Sequence, residues 1–106
     1  MIRAKVILVD FDGVLSTGEC WTPEGCLKAE PIQENIDKVN KLHKENFIVI
    51  WTARRDHLIP ASLKWLRQHG VEFDAISNKK PAASYYIDDK STDFDTLLNG
   101  GEEDED

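Results

Sequence analysis

Long apolar runs, surplus positive charge and cysteine are all scarce in this chain, and each shortage closes off a class of function. No stretch approaches the ~20 apolar residues that a membrane span requires, so no membrane role is expected. Lys and Arg number 13 against 20 Asp and Glu, for a net charge of -7. A dedicated nucleic-acid binder would show the opposite balance, with basic residues gathered on one face. The only cysteines, Cys20 and Cys26, fit neither a C-x-x-C redox motif nor a zinc pattern. They are expected to be free thiols in a cytoplasmic protein.

What remains suits one domain. The 106 residues leave little room for a second, and 41% hydrophobic content is enough for a modest core. Five of the acids form the tail Glu102 to Asp106, so the folded body carries only about -2. Residues 1–98 are read as the folded core and 99–106 as a disordered, solubilising acidic tail. The opening MIRAKVILVD ends in an acid rather than a small-residue cleavage site, so it reads as a buried strand and not as a signal peptide.

Hydrophobic spacing orders the elements. Ala4–Val9 is a near-continuous apolar run of strand length. Residues 14–31 contain Gly18, Pro23, Gly25 and Pro31 without a helical period, and Thr22–Gly25 has the composition of a tight turn. This stretch is expected to be a loop or short hairpin, a flap over the end of the first strand with few buried anchors. Ile32, Ile36, Val39 and Leu42 recur at helical spacing. Phe47–Trp51 is a second strand. Pro60 opens a helix with Leu63 and Leu66 inward that stops at Gly70. Phe73–Ile76 and Tyr85–Ile87 are short strands, and a last helix runs through Phe94, Leu97 and Leu98. The alternation predicts an α/β fold: a single Rossmann-like, three-layer domain with a mostly parallel central sheet. Ligands in such sheets gather beyond the carboxyl ends of the strands.

Four polar clusters fall at those ends: Asp10-Phe11-Asp12-Gly13, Thr52-Ala53-Arg54, Lys80-Pro81 and Asp88-Asp89. Singly, such residues cap helices and begin turns. Together, at successive strand ends, they describe a site for phosphoryl transfer, which demands mainly positioning and positive charge around the moving oxygens. A carboxylate can be the nucleophile, and magnesium can sit between carboxylates and an anionic substrate.

The strings DFDGVL, WTAR, KP and YIDD, in this order, closely resemble the haloacid dehalogenase superfamily of phosphatases over residues 4–98. Val14 departs from the Thr common at its position. The resemblance implies that Asp10 is the nucleophile and a direct Mg2+ ligand. It implies that Asp12 is the general acid and base, with its backbone carbonyl on the metal. Thr52 would hydrogen-bond the phosphoryl group, and Lys80, rather than its neighbour Lys79, would steady phosphate and nucleophile. Asp89 would bind the metal with Asp88 in support, and Asp93 is either a trailing acid of that motif or a helix-start residue. No lesion points to a dead, merely magnesium-binding domain. A phosphotransferase of the same fold stays open as an alternative.

Thirty-nine residues separate Asp12 from Thr52, and 27 separate Thr52 from Lys80. Neither gap holds a cap domain, so the chain resembles the capless branch. Small members with a similar motif set suggest a phosphorylated small molecule, by preference a sugar phosphate, with a nucleic-acid end as the alternative. Self-association could supply the missing cover. Trp21 could stack on a sugar or base, although packing the flap onto the core is the favoured reading. Arg54 and Arg55 are as readily surface or helix-start residues as substrate contacts. His57 and His69 read as surface residues, and Trp65 as partly buried.

Overall fold

The central strand is built from the most continuous apolar run. In the computed structural model, β1 (Val6–Asp10) lies in a four-stranded sheet of order β3-β2-β1-β4. The other strands are β2 (Phe47–Trp51), β3 (Ala75–Ser77) and β4 (Tyr85–Ile87). All pairings are parallel. The structure describes residues 5–18, 20–79, 83, 85–87 and 94. Lys80, Asp88, Asp89, Asp93, most of the expected last helix and the acidic tail lie outside the described residues. Of that helix, only Phe94 is described; it is helical and buried.

Register divides the sheet into two faces, because successive side chains alternate. Ile7 and Val9 stand beside Ile48 and Ile50, with Ile87 beside Val9. This face joins the main core, which includes Ile36, Val39 and Leu42 of α2 (Gln33–His43) and Trp65 and Leu66 of α3 (Ile59–Gln68). The helices flank the sheet, as the alternation predicts. Pro60 lies in the first turn of α3, where a missing N–H costs nothing. Gly70, with φ 69°, ends that helix in the left-handed region that glycine enters freely. No cap domain occurs among the described residues.

The structure corrects several expectations. Thr22–Gly25 is not an isolated turn but the start of a six-residue helix, α1 (Pro23–Lys28). Thr22 is its N-cap: the hydroxyl accepts a hydrogen bond from the Gly25 N–H at 3.0 Å. Cys20 and Cys26 are not free thiols. The turn of α1 brings their Cα atoms to 5.0 Å, and the sulfurs are bonded. The flap has buried anchors in Val14, Leu15, Ser16, Cys20 and Cys26. Its neck is clasped by Thr17 N–H to the Glu30 carbonyl (2.9 Å) and Ile32 N–H to the Leu15 carbonyl (2.8 Å). The third strand is Ala75–Ser77, later than the expected Phe73–Ile76. His69 is half-buried at the end of α3, its ring 4.3 Å from that of Trp65.

Trp65 is fully buried rather than partly so. Its indole N–H donates to the Ala29 carbonyl at 2.9 Å, and its ring meets Phe11 at 5.1 Å between centroids. One side chain therefore ties α3 to the end of the flap and to the loop after β1. Trp65→Phe removes the donor and leaves a void beside Ala29. A loss of about 1–3 kcal/mol in unfolding free energy is expected, measured as a lower urea midpoint at unchanged m-value.

Candidate active site

Beyond Asp10 the chain turns sharply. The Phe11 carbonyl accepts from the N–H groups of Leu15 (2.9 Å) and Ser16 (3.2 Å), and Gly13 N–H donates to the Ser16 carbonyl (2.8 Å). Gly13 sits at φ 91°, which a side-chain-bearing residue rarely adopts. This turn buries Phe11, Val14 and Leu15 and leaves Asp12 half-buried at the sheet's carboxyl edge. On the neighbouring strand the ladder continues past β2, with Thr52 N–H donating to the Ser77 carbonyl at 3.0 Å. The two polar segments thus meet at one end of the sheet.

A guanidinium joins them. Arg54 donates from Nη2 to Asp12 Oδ1 at 2.7 Å and from Nε to Asp12 Oδ2 at 3.2 Å. Its Nη1 donates to Ser62 Oγ at 2.7 Å, and that hydroxyl donates to the Leu58 carbonyl at 2.8 Å. The guanidinium carbon lies 3.9 Å from the centroid of the Phe11 ring. The Arg54 side chain is only 2% exposed, which overturns its reading as a surface or helix-start residue. It is a positioning residue: the planar fork fixes both oxygens of Asp12, and burial leaves the cation little reach toward a substrate.

The structure brings Asp10 and Asp12 together in the lining of one cavity of about 630 Å³, with Trp21, Trp51, Arg55 and His57 also on its walls. Thr52 is adjacent in the chain but fully buried, and it does not line that cavity. Its hydroxyl accepts from the Arg54 N–H at 3.1 Å, which holds the turn into the arginine. Trp21 is 78% exposed, so the favoured packing role is incorrect. Arg55 and His57 are exposed, the latter on a short 3-10 turn, Asp56–Leu58. Lys79 is exposed, while Lys80, Asp88 and Asp89 lie outside the described residues.

Two hard carboxylates at the end of one strand suit magnesium in kind. Asp12 commits both oxygens to Arg54, so the described donors that fit are the Asp10 carboxylate and the Asp12 backbone carbonyl. Among the described residues, no three His, Cys, Asp or Glu side chains converge as a metal site. Waters and substrate oxygens complete a magnesium shell, and Asp88 and Asp89, the other expected ligands, lie outside the described residues.

No protein-family profile matches the chain, and no curated protein matches it. Solved structures share its fold. A conserved protein from Bacteroides thetaiotaomicron superposes with a TM-score of 0.70 at 24% identity, covering 98% of this chain and 94% of that one. A chain of the Pnkp1/Rnl/Hen1 RNA repair complex superposes with a TM-score of 0.57 at 11% identity, covering 92% of this chain. The match takes in 30% of that longer chain. These likenesses establish the α/β fold.

The clamp yields a direct test. Arg54→Ala strands the Asp12 carboxylate and the Ser62 hydroxyl in a partly buried place. Removing one partner of a buried pair costs about 3–5 kcal/mol, and the 21% exposure of Asp12 points to the lower end. Arg54→Lys should recover only part of this, because an ammonium cannot form the bidentate fork. Chemical denaturation of the two variants reads the difference. Equal stability of Arg54→Lys and the parent would remove the fork geometry from the account.

Proposed function

We propose that this chain is a magnesium-dependent phosphomonoesterase of the haloacid dehalogenase type, working through an aspartyl-phosphate on Asp10. The observation that carries the reading is the pairing, in one open cavity at the carboxyl end of the central strand, of Asp10 with an Asp12 whose carboxylate is held by a buried arginine. The ordered motif set DFDGVL, WTAR, KP and YIDD supports it.

In the proposed reaction an Asp10 carboxylate oxygen attacks phosphorus, and the bond from phosphorus to the ester oxygen breaks. Asp12 gives that leaving oxygen a proton. Asp12, now the base, takes a proton from a water that attacks the aspartyl-phosphate. The bond from phosphorus to Asp10 breaks, which releases inorganic phosphate, restores the Asp10 carboxylate and leaves Asp12 protonated for the next turnover. Arg54 keeps Asp12 oriented through both proton transfers. Thr52 builds the turn that delivers Arg54, and a hydroxyl that accepts from a backbone N–H still has its own proton to donate. Magnesium, when bound, would offset the negative charge of phosphate and carboxylates. Lys80 would add a second cation.

The test is phosphate release from p-nitrophenyl phosphate and a panel of phosphorylated metabolites, with and without magnesium. Turnover should require the metal. Asp10→Asn, nearly isosteric but not nucleophilic, should lower kcat by on the order of 10⁴-fold or more with an unchanged unfolding midpoint. Substantial turnover in that variant would remove Asp10 from the role.

The lysines give a separate result. Lys80→Ala should cost roughly 10²–10³-fold in kcat, as loss of a positioned transition-state donor does. Lys79→Ala should stay near the parent. The Lys79 backbone bonds to Ser77 Oγ survive that substitution, and its side chain is exposed. The reverse pattern would assign the role to Lys79.

A further inference from the structure

Among the described residues, Trp21 is the most exposed of the large hydrophobic side chains, yet its backbone is among the better anchored parts of the flap. On one side Cys20 is 6% exposed and packs with Cys26, Leu58 and Ala61. On the other, Thr22 caps α1 through its hydroxyl, and its carbonyl accepts from Cys26 N–H at 2.9 Å. The Cys20–Cys26 bond closes the loop that contains Trp21. An indole left in water is unfavourable, and here it is held in water by a closed, capped frame. That is the arrangement of a platform awaiting a flat partner, because indole offers a large face at little entropic cost. The same indole lines the cavity of about 630 Å³ that holds Asp10 and Asp12, a volume typical of small-molecule sites. Arg55 and His57 line it as well and can donate hydrogen bonds to ring oxygens or nitrogens.

We propose that Trp21 is the leaving-group platform of this site, stacking on the flat face of a ring carried by a phosphomonoester whose phosphate lies toward Asp10. The inference rests on the phosphatase reading for the position of the phosphate. Its shared chemistry is a ring with an exposed face, which a hexose or a nucleobase can supply. A ringless ester of glycerol lacks it.

Calorimetry on Asp10→Asn protein with magnesium separates binding from turnover. The ligands are a hexose phosphate, a nucleoside monophosphate and glycerol phosphate, each titrated with and without the additional change Trp21→Ala. Loss of one stacked ring is expected to raise Kd roughly 5- to 150-fold for the ring-bearing ligands and to leave glycerol phosphate within about twofold. The larger loss identifies the ring, sugar or base. Equal changes for all three ligands, no change for any, or no binding by the parent would overturn the platform. Trp21-selective binding in a chain that hydrolyses nothing would keep the platform and remove the phosphatase reading. Hydrolysis without that selectivity would do the reverse.

Discussion

The arrangement at the head of the sheet depends on one buried cation. A guanidinium withdrawn from water is tolerated only where its N–H groups find partners in the right plane. Arg54 finds them on two separate parts of the chain, Asp12 after β1 and Ser62 in α3, and the guanidinium lies over the ring of Phe11. None of these can shift alone without stranding a charge or a hydroxyl. The clamp therefore fixes the distance between the first and second strand-end loops, and with it the orientation of Asp12 against the cavity.

The cover over the site is attached to the same frame. Leu58, whose carbonyl accepts from Ser62, also packs with Cys20 and Cys26 of the flap. Phe11, under the guanidinium, touches Trp65, and Trp65 donates to Ala29 just past α1. Arginine clamp, flap disulfide and buried tryptophan thus all engage α3 or the 3-10 turn that leads into it. The flap is tied at its neck, along its helix and through a disulfide, where few buried anchors were expected.

Elements with many apolar residues in register were legible in the sequence. β2 and β4 have the expected bounds, β1 and α2 lie close to them, and Pro60 and Gly70 punctuate α3 as read. Short elements were not. In α1, Pro23 and Gly25 are turn residues by composition, and a helix of six residues is too brief for periodicity to declare itself. Its formation rests on the Thr22 cap and on a cysteine pair that no spacing rule singled out. β3 is three residues long, so a shift of two displaces most of it. Of the candidate site, Asp10 and Asp12 were found from their place at a strand end together with the resemblance that DFDGVL carries. The role of Arg54 was not, since its partner lies 42 positions away and a guanidinium beside a threonine reads locally as surface. The usable signal was stereochemical: a cation directly after a buried strand, at the same sheet edge as an acid after its neighbour, has a partner within reach.

The clamp also bears on the electrostatics of phosphate binding. A phosphate dianion approaching two carboxylates meets repulsion that a protein must offset before any chemistry begins. On the proposed reading, Arg54 offsets the charge of Asp12 whenever that group is ionised, and from inside the fold, where salt screens it little. Arg54 borders the cavity, but its side chain is only 2% exposed and its N–H groups are engaged by Asp12 and Ser62. On the same reading, Asp10 is the carboxylate that has to be ionised to attack. On the proposed reading, Lys80 and the metal act on Asp10 and the incoming phosphate alone, since Asp12 already has its counter-ion. On that reading the exposed Arg55 and His57 at the rim serve the leaving group, on the same wall where Trp21 presents its face. Division of labour between a buried arginine and exposed ones explains how adjacent residues of identical type can hold different tasks: Arg54 turns into the fold toward an acid and Arg55 turns out toward solvent.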